Sequence, residues 1–486
     1  MNTNLKSLKP EALWRHFETL TQIPRPSRKE ARIIEVVKKF GESLSLETIV
    51  DEVGNVIIKK PATKGMEDRK GVVLQGHLDM VPQANSDKDF NFETDPIQAY
   101  IDGEWVTADG TTLGADNGMG VAAAMAVLES KELVHGPIEA LFTIDEETGM
   151  TGAFGLKPGL LDGEILLNLD SEDEGELYIG CAGGINATSR LKYKAVPAPE
   201  DCEAYKITVS GLKGGHSGID IPLYRGNANK IIFRLMRKAA TDFGLRIAEM
   251  EGGSLRNAIP REATAIVTIA KSKKADFEKF VKDFEKTLQN EYATADPGLK
   301  ITASTADLPK EVMNQEAQRS FVNAINACPN GVVRMSSDME GLVETSTNLA
   351  VVTVKNGTAE ALSLLRSSVD SSKYALADVV ESVFDMAGAE TNLDGDYPGW
   401  KPNPNSAILK EMKQVYNNKF GKIPEIKAIH AGLECGLLGG VYPQFDMISF
   451  GPTIRYPHSP DEKVNIASVQ KFWDFLVETL RHIPKK

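Results

Sequence analysis

The sequence predicts an α/β protein with a mostly parallel central sheet, interrupted by an inserted α+β domain. Three observations carry that expectation. Apolar strand-like runs alternate with helical patterns through the first part of the chain, up to about residue 180. Three of those runs end in acids or in H-x-D, closing at Asp79, Glu147 and Asp170. A separate strand-and-helix series then begins near residue 188 and stops before the Pro- and Gly-rich segment GDYPGWKPNPNS.

The elements follow in order. PEALWRHFETL and ARIIEVVKKFGESL have the apolar spacing of amphipathic helices, and VGNVIIKK reads as a strand. VVLQGHLD is a strand suited to a sheet interior, and GMGVAAAMAVLES is an alanine-rich helix. IEALFTID and GEILLNLD are further strands. In the insertion, AYKITVSG and EATAIVTIA read as strands, and NKIIFRLMRKAATDFG and DFEKFVKDFEKTLQNEY as helices. SAILKEMKQVYNNKFG then restarts a helix with Ser406 as N-cap, and FDMISFGP is strand-like. The expected organisation is residues 1–187 and 397–486 as one domain and 188–396 as the insertion.

A chain of 486 residues exceeds the size at which single cores stop growing, so two domains are the default. At 42% hydrophobic and 25% charged residues, long disorder is not expected. A net charge of -13 disfavours nucleic-acid or anionic-membrane surfaces, which need clustered Lys and Arg. Cys181, Cys202, Cys328 and Cys435 are scattered without a C-x-x-C, the pattern of free thiols in a reducing compartment. No apolar h-region precedes the first helix and no run reaches transmembrane length, so a cytoplasmic protein is expected. Neither a dinucleotide fingerprint nor a P-loop is present.

The strand ends carry the chemistry. In an extended H-x-D the two side chains share a face, so His77 could bind a metal while Asp79 fixes its imidazole. H-x-D is also a common tripeptide, and a solvated loop is the alternative. TLGADNGMG places Asp116 in a glycine-flanked turn before a helix. Helix capping is one reading; a carboxylate offering both oxygens to two cations is the other. TIDEETGM sets Glu146 beside Glu147. Adjacent like charges at an apolar strand end need compensation, which a nearby cation would provide. One carboxylate can then ligate while the other serves as general base towards water.

NLDSEDEG offers Asp170, with Asp173 and Glu174 read as a solvated acidic turn. In TIRYPHSPDE, His458 stands between two prolines, which is either a rigid mounting for an imidazole or a solvent-exposed loop position. Together two histidines and three carboxylates suit a pair of divalent ions, Zn²⁺ first, with Mn²⁺ or Co²⁺ as alternatives. A shared carboxylate would hold such ions ~3.5–4 Å apart.

GHLDMVP, TLGADNGMG, DEETGM, NLDSEDEG, LKGGHSG and YPHSP, in this order, resemble the motifs of the dinuclear-zinc M20 metallopeptidases. PATKGMEDRKGVVLQGHLDMVPQ, CAGGI, GGSLRNAIPRE, ETSTNLAVVT and HAGLECGL are similar to its aminoacyl-histidine (Xaa-His) dipeptidase branch, across nearly the whole chain. The resemblance implies a zinc-peptidase catalytic domain with an inserted α+β lid domain. It implies His77 and Asp170 on one zinc, Glu147 and His458 on the other, and Asp116 bridging both. Asp79 would orient His77, and Glu146 would be the general base that returns the proton to the leaving amine. His216 in the lid would support the oxyanion, and the peptide bond after Asp116 would be cis.

Asp rather than Glu at position 170 resembles the aminopeptidase and dipeptidase branch more than the carboxypeptidases. Asn257 and Arg366 resemble positions that hold the substrate's carboxylate end, though by themselves they could be a turn residue and a surface residue near a strand end. His430 and Glu434 in HAGLECGL are read as facing the site without an assigned role, because this segment departs from the Gly-Gly-Thr-Asp type of many relatives. The implied activity is metal-assisted hydrolysis of Xaa-His and other dipeptides. The alternatives are deacylation of N-acyl amino acids on the same scaffold, or a non-catalytic binding protein. A homodimer is compatible with the resemblance, with His216 acting within one chain or supplied by a partner chain.

Overall fold

The structure, a computed structural model, describes residues 4–486. Contacts divide the chain into two units, one formed by residues up to Gly180, Pro402–Ala428 and Leu433–Lys486, the other by Cys181–Lys401 and Ile429–Gly432. The division falls a few residues from the expected borders at 187/188 and 396/397. Cys181 and Trp400 exchange backbone hydrogen bonds at 2.9 and 3.0 Å, drawing both flanks of the insertion into the second unit. The Ala182 amide donates to the carbonyls of Ile429 and Ala431 at 3.1 and 3.0 Å, which brings four residues of a distant segment with them.

An eight-stranded sheet organises the first unit. Its spatial order is Glu47–Val50, Val56–Lys60, Ile138–Thr143, Val72–His77, Ile165–Asn168, Asp446–Ser449, Glu176–Cys181 and Glu425–Ile429. The centre is parallel: Val72–His77 pairs in that sense with strands on both sides, and Ile165–Asn168 pairs parallel with Asp446–Ser449. The first two strands pair antiparallel, as do Val56–Lys60 with Ile138–Thr143 and Asp446–Ser449 with Glu176–Cys181. A strand with parallel neighbours on either edge and layers on both faces has no polar side to show, and all six residues of Val72–His77 are buried.

The helix Ala115–Glu129 is buried on almost every face, because it lies against the Val72–His77 strand and against the helix Glu11–Thr21. Its run of alanines lets backbone layers approach closely. Ser406 caps the helix Ala407–Phe420, its hydroxyl accepting from the Leu409 amide at 3.0 Å. A four-stranded sheet of Ile454–Arg455, Lys463–Asn465, Trp105–Ala108 and Ala99–Asp102 mounts the loop that carries His458.

The second unit is built on a nine-stranded sheet whose pairings are antiparallel, with the long strands Val343–Lys355 and Thr358–Ser367 at its middle. The helices Ala228–Phe243, Lys274–Glu291, Gln315–Ala327 and Asp370–Asp385 contribute Phe233, Phe277, Phe321 and Phe384 to one aromatic-rich core. A separate two-stranded ladder pairs Gly215–His216 with Ala258–Ile259.

Candidate metal centre

The carboxyl ends of the parallel strands bring seven of the sequence-selected side chains together in the first unit. His77 is the last residue of its strand, and the chain turns at once so that Asp79 lies beside the ring. The His77 Nδ1 is 3.3 Å from Asp79 Oδ1 and 3.2 Å from the Asp79 carbonyl. Its Nε2 faces Asp116 Oδ1 at 3.2 Å and Asp170 Oδ1 at 3.4 Å. On the other side, His458 Nε2 lies 3.2 Å from Asp116 Oδ2 and 3.0 Å from Glu147 Oε2. The two oxygens of Asp116 therefore face two separate side-chain clusters.

Glu146 and Glu147 stand one step beyond the strand Ile138–Thr143, in the short helix Glu146–Gly149. Asp79 also fixes this turn, accepting from the amides of Glu146 at 3.0 Å and Glu147 at 3.3 Å, while Ser27 Oγ donates to it at 2.7 Å. One buried carboxylate thus braces both His77 and the Glu146–Glu147 pair. His458 is the most open of the group, its side chain 52% exposed, and it holds a left-handed φ of 60° between its prolines. The Asp116–Asn117 peptide bond is cis.

The electrostatics are those of acids crowded in low dielectric. Burial raises the Asp170 carboxyl to about 7 despite the nearby His77. Burial likewise lifts Glu146 well above the usual carboxylate range; His77 opposes the rise, and Asp170, Glu434 and Glu147 add to it. Asp79 is held at about 2, because its bonds to His77, Ser27 and the Glu146 amide outweigh burial. His458 is raised to about 11 by Asp116 and Glu147.

A divalent pair fits this donor set. Glu147 Oε1 and Asp170 Oδ1 are buried and have no hydrogen-bond partner among the described residues. Ligand atoms of His77, Asp116 and Asp170 gather within 4.8 Å of one another, as do those of Asp116, Glu147 and His458. Two imidazoles and several buried carboxylates with unfilled acceptors are the ligand chemistry of borderline divalent ions.

The sequence matches the profile of Peptidase family M20/M25/M40 over residues 73–482, which includes every one of these side chains. The chain belongs to this family. It is 46% identical over 484 residues to the cytosol non-specific dipeptidase of Escherichia coli (strain K12), covering 100% of both chains. It is also similar to the crystal structure of aminoacylhistidine dipeptidase from Vibrio alginolyticus, with 48% identity, a TM-score of 0.95 and 99% of each chain covered. An aminopeptidase from Bacillus cereus shares the family fold at 17% identity and a TM-score of 0.57, over 98% of this chain and 99% of that one.

His216, Asn257 and Arg366 lie in the second unit of this M20 chain, and that unit gathers them around its two-stranded ladder. His216 is half-buried, and its Nδ1 accepts from the amides of Gly218 at 3.1 Å and Ile219 at 3.0 Å. With Nδ1 engaged as acceptor, the neutral ring carries its proton on Nε2, a donor free for other use. Burial and then the charge of Arg366 hold its pKa below the ordinary value, so the ring is neutral near pH 7. The Asn257 carbonyl accepts from Ser217 N at 2.8 Å, and the Asn257 side chain is exposed in a turn.

Arg366 is not the surface residue it could have been: it is 5% exposed, within the strand Thr358–Ser367. It donates to Tyr397 Oη at 3.0 Å and to Ser217 Oγ at 3.4 Å. His430 is buried and kept neutral, its pKa lowered to about 3 by burial and then by Arg366, with Nε2 at 2.7 Å from Ser346 Oγ.

Glu434 was read from the sequence without a role, and two further supporting residues, Arg25 and Glu462, were not picked out at all. Glu434 is buried in the first unit and accepts from Gln75 Nε2 at 2.6 Å and Thr143 Oγ1 at 2.8 Å. Arg25 is fully buried and donates to the carbonyls of Leu78 and Asp79, each at 2.9 Å, and of Gly114 at 2.5 Å. Glu462 accepts from four consecutive backbone amides of the Asp116 turn. Only Glu462 had a sequence signal, its place four residues after His458. Glu174, expected in a solvated turn, instead has a side chain only 12% exposed and bonds Tyr416 Oη at 2.5 Å. Asp173 stays at the surface and pairs with Arg455 at 2.8 Å.

Proposed function

We infer that this M20 protein is a dinuclear-metal dipeptidase that hydrolyses Xaa-His and other dipeptides. One observation carries the reading: Asp116 turns one carboxylate oxygen towards His77 and Asp170 and the other towards His458 and Glu147. The full-length similarity to two dipeptidases supports the substrate class. His77 and Asp170 would hold one ion, His458 and Glu147 the other, and Asp116 both. Zn²⁺ is the ion proposed first, with Mn²⁺ or Co²⁺ as substitutes. When bound, such ions supply Lewis-acid polarisation of a carbonyl and an acidified water.

The chain's own groups do the rest. Glu146 takes the proton from the attacking water and later delivers it to the leaving nitrogen, a shuttle suited to a carboxyl whose burial favours taking up a proton. Asp79 keeps Nδ1 of His77 engaged, which leaves Nε2 free to ligate. His216 would donate its Nε2 proton to the oxyanion, and Arg366 and Asn257 would hold the substrate's carboxylate end. These three roles rest on the family resemblance. A cytoplasmic setting belongs to the same reading: the four cysteines are buried and form no disulfide, and among the described residues no helix is long and apolar enough to cross a membrane.

The test is a hydrolysis panel of Xaa-His dipeptides, other dipeptides, tripeptides and N-acetyl amino acids, run with Zn²⁺, Mn²⁺ and Co²⁺. Dipeptides are expected to give the highest kcat/KM. Preference for N-acetyl amino acids would turn the reading into a deacylase, and no hydrolysis of any member would leave a binding protein.

A further inference from the structure

The Asp116 turn has an unusual source of order. Residues 113–116 run into the helix Ala115–Glu129, where backbone amides lack intrahelical partners and a local Asp, Asn or Ser side chain normally serves as cap. No local side chain caps this helix. A remote carboxylate does so instead. Glu462 Oε2 accepts from the amides of Leu113 at 2.8 Å and Gly114 at 2.9 Å, and Oε1 from those of Ala115 at 2.8 Å and Asp116 at 3.2 Å. Glu462 is 2% exposed and is itself anchored, its carbonyl accepting from Thr107 Oγ1 at 2.8 Å and its amide donating to the Ser459 carbonyl at 3.0 Å.

The opposite polarity of the same turn is held by Arg25, whose Nη2 reaches the Gly114 carbonyl. A Cβ at Gly114 would lie 2.6 Å from that nitrogen and one at Gly118 would lie 2.8 Å from it, so the guanidinium can lie here only because both positions are glycine. Because Glu462 and Arg25 satisfy the backbone, the Asp116 side chain has no capping duty. Both of its oxygens remain available to the two imidazoles.

We propose that Glu462 is a positioning residue for the metal centre: its bonds to the amides of residues 113–116 set the Asp116 carboxylate between the two ligand sets. The same loop supplies His458, four residues earlier, so one short segment carries a ligand and the brace of the bridging ligand. The proposal rests on the metal reading above, and it concerns affinity and coordination geometry more than substrate contact.

Glu462→Gln tests it. An amide keeps one acceptor oxygen but turns an NH₂ towards two of the four amides, which cannot accept from it. The measurement is Co²⁺ binding to metal-stripped protein, by competition with a chromophoric chelator, together with the visible absorption spectrum of the loaded protein. Loss of such a support is expected to weaken at least one of two sites by about 10- to 100-fold and to shift the cobalt bands. Leu480→Ala, in the C-terminal helix, serves as a variant destabilised in the core at a position outside the centre. It should lower the melting temperature while leaving affinity and spectrum as in the unaltered protein.

If Glu462→Gln does not fold, Glu462→Asp retains the charge with a shorter reach and should show the same changes at smaller size. Two tight sites with unshifted bands in either variant would overturn the proposal and leave the metal reading standing. An unaltered protein that binds no Co²⁺ would overturn that reading, and this proposal with it.

Discussion

His77 is a buried imidazole whose two nitrogens have different jobs. Nδ1 is held by Asp79 and Nε2 faces two carboxylates, so the orientation of the ring is fixed before anything binds. Glu146 has the contrasting environment. Its amide is tied to Asp79, while burial raises the carboxyl's proton affinity. A neutral isostere therefore separates chemistry from assembly. Glu146→Gln should keep the metal content of the unaltered protein, measured by elemental analysis, and lose about 10²- to 10⁴-fold in kcat. Near-normal turnover in that variant would remove Glu146 from the role of base. At this scale the sequence brought out the seven side chains that the structure gathers at the strand ends, because His and acids at apolar strand ends have few other uses. It was silent on Arg25 and gave no role to Glu434, whose partners are backbone carbonyls and neutral side chains far away in the chain.

Strand backbone and helix side chains meet closely where the strand Val72–His77 passes the start of the helix Ala115–Glu129. A Cβ on Gly76 would run into Asn117 Oδ1 and touch Val121 at 3.6 Å. Asn117 cannot yield freely, since its Nδ2 donates to the Leu169 carbonyl at 2.7 Å. The glycine just before His77 is thus a packing requirement of the element pair. Gly76→Ala should destabilise the protein by about 1–3 kcal/mol through overpacking. That exceeds the ~0.4–1 kcal/mol expected from a stiffer unfolded chain. Urea unfolding reads the sum, and a midpoint at or above that of the unaltered protein would contradict the close approach.

The helices and strands here were legible from their period, but the capping of Asp116 was not. TLGADNGMG contains two plausible caps, Asp116 and Asn117, and neither acts, because the amides are taken by Glu462, almost three hundred and fifty residues away. The placement of Glu146 and Glu147 in a short helix beyond the strand was also hidden, because a strand end and a one-turn helix share the same few residues.

For the whole chain, strands alternating with helices announced the parallel-centred sheet, and a change of pattern near residue 188 announced the second unit. The borders were harder. The strand Gly183–Lys192 pairs along its length with Thr358–Ser367, so the chain commits to the second unit before the composition changes. Ile429–Gly432 joins that unit through two carbonyls accepting from Ala182, a contact with no local signature.

The carboxylates gathered in the first unit repel one another, so bound cations should raise stability as well as permit turnover. The most direct measurement is hydrolysis of an Xaa-His dipeptide by metal-stripped protein as Zn²⁺ is added back against known protein concentration. Turnover should be negligible without metal and rise to a level reached at two equivalents per chain. Full activity in the stripped protein, or a plateau at one equivalent, would contradict a centre in which Asp116 is shared between two ions.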